Sequence, residues 1–546
     1  MSFFSIQRLG AVLALTSTAI ATVLGPVSTL TISNKIIAPD GFSRSATVVN
    51  GAFPAPVIAV NKGDQLKVNV VNQLTDPTQE RGTSVHWHGI LQKGTIPMDG
   101  VVGVTQCPIA PNNTFQYVFN ADAAGSYWYH SHFGVQYCDG LRGALVVYDN
   151  RDPLKLLYDV DDETTIITLT EWYHIPGPSI TGIPFADSTL INGKGRYPGG
   201  PAADLAVINV RQGKRYRFRV YVMSCEPNYT FSIDGHNLTV IEADSTATRP
   251  VAVNTVQIFA GQRYSVVLHA NQHIDNYWVR ALPNTGGNGL NTTFDGGLNS
   301  AILRYQGAPI ADPTTQQQPP HKLLETDLHP LVNVPAPGEN SPEGADYVFN
   351  VTMGFDENAF LWTMNNVTFA GPQVPVLLQI MSGAHTAQEL LPEGGFLSVE
   401  RNKSVQINFP SGLIGGPHPF HLHGHTFRVV RSADSGHFNF LDPVQRDTFS
   451  AGNTPGDFTS IRFRTDNPGP WILHCHIDFH LANGLALVIA EAIDEIFPLN
   501  PGLTGEATLD VYSGVEITNF LTASYNETCA AWNALSDDMK TPTIVQ

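Results

Sequence analysis

The sequence predicts an all-β protein made of three consecutive β-sandwich or barrel domains. Strand-like runs such as Gln65–Val71 and Tyr216–Val222 recur at short intervals, and clusters of Gly, Pro, Asn and Asp separate them. Gly (48) and Pro (38) are plentiful, whereas long helical runs are scarce. A chain of 546 residues has room for three or four domains of about 150 residues each.

The composition excludes several classes of function. Hydrophobic residues make up 42% of the chain and charged residues 14%, which allows large cores and argues against disorder. Acidic residues (48) outnumber basic ones (30), so the net charge is −18. Because phosphate contacts need clustered Lys and Arg, we expect no nucleic-acid partner. The 19 histidines are many for so few charges and suggest a bound metal.

Residues 1–21 have the features of a secretory signal peptide. Arg8 precedes the apolar run Leu9–Ile20, and Ala19-Ile20-Ala21 forms a small-x-small cleavage motif. The run is short and is broken by Thr16-Ser17-Thr18, which argues against a transmembrane anchor. No later segment is long and apolar enough to span a bilayer. We therefore expect a secreted, extracellular protein without a membrane partner.

Eight N-x-S/T sequons agree with secretion, because this tripeptide accepts N-linked glycans in extracellular proteins. Single sequons arise by chance, but eight of them together with a signal peptide indicate a glycosylated secreted protein. The candidate positions are Asn112, Asn228, Asn237, Asn291, Asn350, Asn366, Asn402 and Asn526.

Two stretches mark the expected domain boundaries. Tyr148–Pro153 follows a strand-like run, and Ala308–Pro320 is rich in Pro, Thr and Gln, as linkers are. The cuts give blocks 22–152, 153–320 and 321–546, each able to hold one β-sandwich. The first and last blocks hold two His-x-His pairs each, and the middle block holds none.

The His-x-His pairs predict a metal cluster. In a strand, residues i and i+2 point to the same face, so each pair presents two imidazoles side by side. One pair could be chance, but four pairs in one chain are hard to explain without a shared metal site. Imidazoles without intervening carboxylates suit copper, zinc, iron or nickel rather than calcium or magnesium. The pairs are His86 and His88, His130 and His132, His421 and His423, and His474 and His476.

Cys475 indicates which metal is bound. It lies between His474 and His476, so its side chain points to the opposite face of the strand, towards a second site. His480 follows five residues later, and His418 precedes the third pair, so the three residues give the Cys-plus-two-His ligand set of a blue-copper centre. A structural zinc site would need paired Cys ligands, and the sequence contains no C-x₂-C motif. The pattern predicts one mononuclear copper joined through the backbone to a multi-copper cluster.

With these motifs the sequence resembles the multicopper oxidases, and within them the fungal laccases. The resemblance implies three cupredoxin-like domains, with a trinuclear copper cluster between the first and the third. Met98 departs from the pattern, since laccases commonly have Trp there. The matching stretches are His86–Gly89, Asp99-Gly100, Gln106–Ile109, Tyr127–His132, Gln136–Gly143, His418–His425 and Gly469–His480.

The resemblance also implies a set of four copper ions and their ligands. His418, Cys475 and His480 would hold the type 1 copper, and His86 and His421 the type 2 copper. The type 3 pair would be held by His88, His130, His132, His423, His474 and His476. His425 lies in the third motif but is not a ligand in the family.

Further residues acquire roles only through the resemblance. It pairs Cys107 with Cys529 and Cys138 with Cys225, which leaves Cys475 as the free thiol. Leu485 would lie on the axial side of the type 1 copper, where it cannot coordinate. Glu226 would lie in a shallow pocket beside His480 and take the proton of an oxidised phenol. Asp99 and Asp478 would either assist proton supply to oxygen or orient ligands.

We expect a laccase that oxidises phenols and aromatic amines and reduces dioxygen, acting as a monomer in lignin or phenolic degradation. One alternative is another multicopper oxidase, such as a ferroxidase or an ascorbate oxidase. A ferroxidase of fungi would be expected to carry a C-terminal membrane anchor, and Gly514–Gln546 contains no such segment. The other alternative is a secreted copper-storage protein without turnover, which has no need for a mononuclear site joined to a cluster.

Overall fold

The computed structural model describes residues 23–284, 292–384, 391–433, 435–496 and 527–542. The predicted signal peptide and the sequons at Asn291 and Asn526 lie outside these ranges. The described chain is mostly β-strand, arranged as three cupredoxin-like domains of two packed sheets each. This confirms the predicted fold class. No helix in the described part of the chain has the length and apolar character to cross a membrane.

The N-terminal domain is a sandwich of two four-stranded sheets, ordered β2-β1-β4-β6 and β3-β8-β7-β5. Alternating residues such as Leu66, Val68 and Val70 point inward and are buried, which explains why this stretch forms a strand with one face in the core. The strands are β1 Val27–Ile37, β2 Arg44–Val49, β3 Ile58–Asn61, β4 Gln65–Gln73, β5 His86–His88, β6 Thr114–Asn120, β7 Gly125–His130 and β8 Arg142–Tyr148.

The middle domain packs a seven-stranded sheet, β11-β10-β9-β13-β18-β15-β16, against a five-stranded sheet, β12-β20-β19-β14-β17. Its strands are β9 Ile166–Trp172, β10 Ser188–Ile191, β11 Lys194–Arg196, β12 Val207–Val210, β13 Arg215–Val222, β14 Asn228–Ile233, β15 Leu238–Ala243, β16 Thr246–Val253, β17 Thr255–Ile258, β18 Arg263–His269, β19 Asn276–Asn284 and β20 Ser300–Tyr305. A turn between β17 and β18 projects from this domain towards the other two.

The C-terminal domain has two five-stranded sheets, β21-β25-β30-β27-β28 and β24-β32-β31-β26-β29, and the hairpin β22-β23. Its strands are β21 Tyr347–Asn350, β22 Met353–Asp356, β23 Leu361–Met364, β24 Phe396–Val399, β25 Ser404–Pro410, β26 Pro419–Leu422, β27 Phe427–Arg431, β28 Gln445–Arg446, β29 Thr448–Ser450, β30 Phe458–Arg464, β31 Gly469–Cys475 and β32 Ala486–Glu491. The short helices are α1 Val376–Met381, α2 Asp478–Ala482, α3 Ile493–Ile496 and α4 Asp537–Lys540.

The segment after the second predicted boundary differs from expectation. Residues 321–331, assigned to the third block, run along the middle domain, where Leu323 N–H donates to the Thr255 carbonyl and Leu331 N–H to the Ala247 carbonyl. Backbone groups in a connecting segment need hydrogen-bond partners, and the edges of the middle-domain sheets supply them here. The segment therefore lies along the middle domain, and it also contacts the C-terminal domain, where Arg446 Nη1 donates to Glu325 at 2.9 Å.

The two predicted disulfides tie the domains together. Cys107 in the N-terminal domain bonds to Cys529 in the C-terminal segment, and Cys138 bonds to Cys225 of the middle domain. Cys475 is free and buried. The pairing implied by the resemblance is confirmed.

Candidate metal centre

Strand pairing brings the histidines together within each domain. Antiparallel pairing of β5 with β7 places His86 opposite His130. The pairing of β26 with β31 places His421 opposite His474. His86 and His88 both lie in β5 and share one sheet face, since they are two residues apart. In the other three pairs the first histidine lies in its strand, and the second follows just after the strand ends. The N-terminal and C-terminal domains then bring these two faces into contact.

The eight histidines of the four pairs form one cluster across this domain interface. The rings of His88 and His421 stack with centroids 3.8 Å apart, and those of His86 and His423 lie 3.9 Å apart. Seven of the eight side chains are buried, and His132 is partly exposed. The predicted meeting of the first and third blocks is therefore present in the structure.

Seven of the eight rings have one nitrogen in contact with a protein oxygen. His86 Nδ1 lies 2.7 Å from the Asp99 carbonyl, and His421 Nδ1 lies 2.7 Å from the Asp447 carbonyl. His423 Nδ1 lies 2.9 Å from the Asp99 carboxylate. Such contacts fix the ring orientation and the tautomer of a ligating histidine. Asp99 thus orients two ligands from different domains.

The other ring nitrogens turn towards one another. His423 Nε2 and His474 Nε2 are 3.1 Å apart, and His476 Nε2 and His88 Nδ1 are 3.2 Å apart. Four buried Nε2 atoms have no hydrogen-bond partner within the described ranges. A buried polar atom left unpaired costs about 1–3 kcal/mol, so metal ions that take these lone pairs fit the arrangement. The four Nε2 atoms belong to His86, His130, His132 and His421.

The protonation state of the cluster also suits a metal. Burial, and then the neighbouring imidazoles, holds the pKa values of His88, His130 and His423 well below the usual value. Burial lowers the pKa of His474 to about 3. These four rings are therefore neutral near pH 7, which is the form that binds copper.

A second site lies on the other face of β31. Cys475 Sγ is 3.7 Å from His418 Nδ1 and 3.6 Å from His480 Nδ1, and the two nitrogens are 3.1 Å apart. This is the Cys-plus-two-His set predicted from the sequence, and it suits a blue-copper ion. Burial lowers the pKa of His418 to about 4, so this ring is neutral as well.

Apolar side chains enclose this second site. The Trp362 ring lies 5.0 Å from the His418 ring and 4.6 Å from the His480 ring, measured between centroids. Leu485 is fully buried, and its carbonyl accepts a hydrogen bond from the Cys475 N–H. Nothing in the sequence around Trp362 indicated this contact, because the residue lies in a different motif-free hairpin, β22-β23.

The carboxylates expected near the sites are buried. Asp478 begins α2, and its N–H donates to the Cys225 carbonyl at 2.8 Å. This bond places Cys225, the residue before Glu226, next to the helix that carries His480. Glu226 is 8% exposed, so it lies deeper than the shallow pocket predicted from the sequence. Burial and then Glu171 raise the pKa of Glu226 to about 8.

Some supporting residues were not found from the sequence. Asp447 Oδ1 lies 3.1 Å from His88 Nε2, and Thr448 Oγ1 lies 3.2 Å from the same atom. Tyr137 Oη is 3.4 Å from His476 Nδ1. Tyr137 lies in Gln136–Gly143, one of the stretches that resemble the multicopper oxidases, and this position was the one sign in the sequence that it lies near the cluster. His425, expected not to be a ligand, pairs instead with Glu491 at 2.8 Å.

The sequons in the described part of the chain differ in accessibility. Asn228 is buried, and its amide nitrogen donates to the Asn284 carbonyl at 2.8 Å, so it is unsuited to carry a glycan in the folded chain. The other described acceptors, which are exposed, are Asn112, Asn237, Asn350, Asn366 and Asn402.

Comparisons with known proteins agree with this geometry. Sequence profiles of the multicopper oxidase family match residues 31–152, 163–308 and 369–495. Laccase-2 of Pleurotus ostreatus is 51% identical over 529 residues, which cover 95% of this chain and 94% of that protein.

Solved structures give the same result. The laccase of Botrytis aclada superposes with a TM-score of 0.78 at 31% identity, covering 96% of this chain and 94% of that one. Fet3p, described as a multicopper oxidase that functions in iron import, has a TM-score of 0.78 at 27% identity, covering 96% and 99%. Taken with the two histidine-lined sites, these similarities show that the chain belongs to the multicopper oxidase family, among the laccases.

Proposed function

We propose that the protein is a secreted, monomeric laccase that takes single electrons from phenols and aromatic amines and uses four of them to reduce dioxygen to two waters. The observation that carries the proposal is the segment His474-Cys475-His476. It places a residue of the mononuclear site between two residues of the cluster, on opposite faces of one strand. Lignin and related phenolic material would be its substrates outside the cell.

The ligands divide between four copper ions, which supply reversible one-electron redox chemistry when bound. His418, Cys475 and His480 would hold the type 1 ion, and His86 and His421 the type 2 ion. His132, His423 and His474, whose ring nitrogens lie within 4.8 Å of one another, would hold one type 3 ion. The remaining three, His88, His130 and His476, would hold the other.

The chain's own groups give this chemistry its direction. His480 lies in α2 with part of its surface exposed, so a substrate electron can enter at its ring edge. Cys475 is linked by one peptide bond to each of His474 and His476, which is the shortest covalent route to the cluster. The separation of the two sites keeps bulky phenols away from the place where dioxygen is reduced.

Carboxylates would manage the protons. Asp99, which holds His86 and His423, has a buried Oδ1 without a hydrogen-bond partner among the described residues. Asp478 is buried between the two sites. Its burial raises its pKa, and the negative charge of Glu171 raises it further. Both can orient ligands, and either can pass a proton towards oxygen.

Glu226 would receive the phenol. Its Oε2 is buried and has no hydrogen-bond partner among the described residues, so a phenol hydroxyl or an amine can satisfy it. A phenol that loses an electron becomes a much stronger acid, and a nearby carboxylate can accept its proton.

Oxygen uptake measured side by side with a phenol, ascorbate and ferrous iron tests the proposed function. We expect the phenol to be the best donor. Because Fet3p shares the fold at 27% identity, iron oxidation is the specific competing function. Faster uptake with ferrous iron than with any phenol would favour that alternative, and no uptake with any donor would favour copper storage.

A further inference from the structure

The middle domain supplies no histidine to the cluster, yet its turn between β17 and β18 contacts two of the ligands. Gly261 adopts φ of +86°. A Cβ atom at this position would lie 2.8 Å from His476 Cδ2 and 3.1 Å from His88 Cε1. Only glycine permits both this backbone conformation and this approach. The turn is therefore built to touch the cluster.

Arg263, at the end of this turn, forms an ion pair with Asp447 of the C-terminal domain. Its Nη1 and Nη2 donate to Oδ1 and Oδ2 of Asp447, each at 2.7 Å. Its Nε donates to the Ser126 carbonyl of the N-terminal domain at 2.8 Å. Both charged side chains are fully buried or nearly so. A bidentate ion pair of this kind fixes direction as well as distance, so Arg263 holds the Asp447 carboxylate in one orientation.

Asp447 in turn holds His88 in an orientation unlike that of its neighbours. In six of the eight rings, Nδ1 lies against a protein acceptor or hydroxyl group, and Nε2 is free to face the cluster. In His88 the roles are reversed. Its Nε2 lies 3.1 Å from Asp447 Oδ1, and its Nδ1 lies 3.2 Å from His476 Nε2. Rotating the ring to the usual orientation would leave Asp447 without this partner.

Gln262 supports the same arrangement. Its Nε2 donates to the Thr448 carbonyl at 3.0 Å, and Thr448 Oγ1 lies 3.2 Å from His88 Nε2. Two consecutive residues of the middle-domain turn therefore hold the two neighbouring residues that contact His88.

We propose that residues 261–263 of the middle domain are a positioning element for the three-metal cluster. Arg263 acts through Asp447 to make His88 bind metal through Nδ1. This inference rests on the proposed copper cluster, and it assigns to the middle domain a task beyond joining its neighbours.

The test compares Arg263→Gln with Arg219→Gln in the full chain. Arg219 is a matched control, since it is also buried in the middle domain and pairs with a carboxylate, Asp161, at 2.8 Å, but it contacts no cluster ligand. Copper per chain, copper affinity by dialysis against a chelator, blue absorption and thermal unfolding are measured for each.

We expect Arg263→Gln to weaken copper binding at the cluster on the order of 10- to 100-fold and to leave the blue absorption in place. Arg219→Gln should unfold at a lower temperature and keep its copper. Equal copper loss in both variants would reduce Arg263 to a structural residue. Unchanged copper affinity in a folded Arg263→Gln protein would overturn the proposal outright.

Should Arg263→Gln not fold, Gln262→Ala decides the question, because it removes only the hydrogen bonds of Gln262 to the Thr448 carbonyl and the Phe259 N–H, and no charge. Weaker cluster copper in this variant supports the proposal, and wild-type affinity refutes it. A wild-type chain without cluster copper would refute the proposed function, and this inference with it. A loaded wild type with unaffected variants would refute this inference alone.

Discussion

Leu485 is fully buried. Its carbonyl accepts a hydrogen bond from the Cys475 N–H, and its N–H donates to the His480 carbonyl. We predict that Leu485→Met lowers the potential of the type 1 copper, because a thioether donates weakly to the metal and stabilises its oxidised state. A potentiometric titration of the blue absorption measures this. Leu66→Met, at an equally buried position in the N-terminal domain, is the control. A potential that is unchanged or higher in Leu485→Met would remove Leu485 from the axial position.

Glu226 gives a prediction about pH. Its pKa is raised to about 8, so its carboxyl is mostly neutral at pH 6 and becomes ionised as the pH rises towards 8. Only the ionised form accepts a proton. The ratio of wild-type to Glu226→Ala rates on a phenol should therefore increase between pH 6 and pH 8. It should fall again as the pH approaches the phenol's own pKa of about 10, where free phenolate needs no acceptor.

Steady-state kinetics on one phenol and one electron donor without a dissociable proton provide the comparison. Glu357→Ala, a change of an exposed carboxylate, serves as the control variant. If Glu226→Ala slows both donors equally at every pH, the residue supports the structure of the site and does not handle the proton.

At the scale of elements, the two disulfides hold different parts of the molecule. Cys138–Cys225 lies next to α2, since the Cys225 carbonyl accepts the Asp478 N–H that begins this helix. Cys107–Cys529 holds the C-terminal segment, where Trp532 also packs on Phe133. The first bond therefore supports the type 1 site and the second supports the end of the chain.

We predict that removing either disulfide by a double Cys→Ser change lowers the free energy of unfolding by about 2–4 kcal/mol. Loss of Cys138–Cys225 should in addition alter the blue absorption and phenol kinetics, because α2 carries His480. Loss of Cys107–Cys529 should leave both unchanged at temperatures where the chain is folded. Denaturant unfolding and spectra of the two variants measure these effects, and identical spectral changes in both would contradict this division.

Some of these elements were predictable from the sequence, and some of their contacts were not. The histidine strands β5, β7, β26 and β31 were predictable, because i, i+2 spacing fixes which side chains share a face. The ion pair between Arg263 and Asp447 was not predictable, because the two residues are 184 positions apart and no local pattern links them. Long-range contacts of this kind depend on how whole domains pack.

For the whole molecule, the fold class and the ligand residues that meet were predictable from the sequence pattern, and both disulfides were predictable from the family resemblance. The sequence was insufficient for the depth of Glu226, for the burial of Asn228 and for the path of residues 321–331. Each of these three depends on which surfaces the middle domain covers. The periodic signals that identify strands and ligands do not contain that information.

The mononuclear site lies within the C-terminal domain, and the cluster lies between this domain and the N-terminal one. The central claim is therefore that one chain holds a mononuclear copper and a separate three-copper cluster. Copper counted per folded chain, in the wild type and in Cys475→Ser, tests this most directly. Serine removes the thiolate that lies 3.7 Å and 3.6 Å from the two His ligands, without touching any cluster histidine. We predict about four copper ions in the blue wild type and about three in a colourless Cys475→Ser protein that no longer oxidises phenols. A Cys475→Ser protein that stays blue and active, or that loses all its copper, would contradict the account.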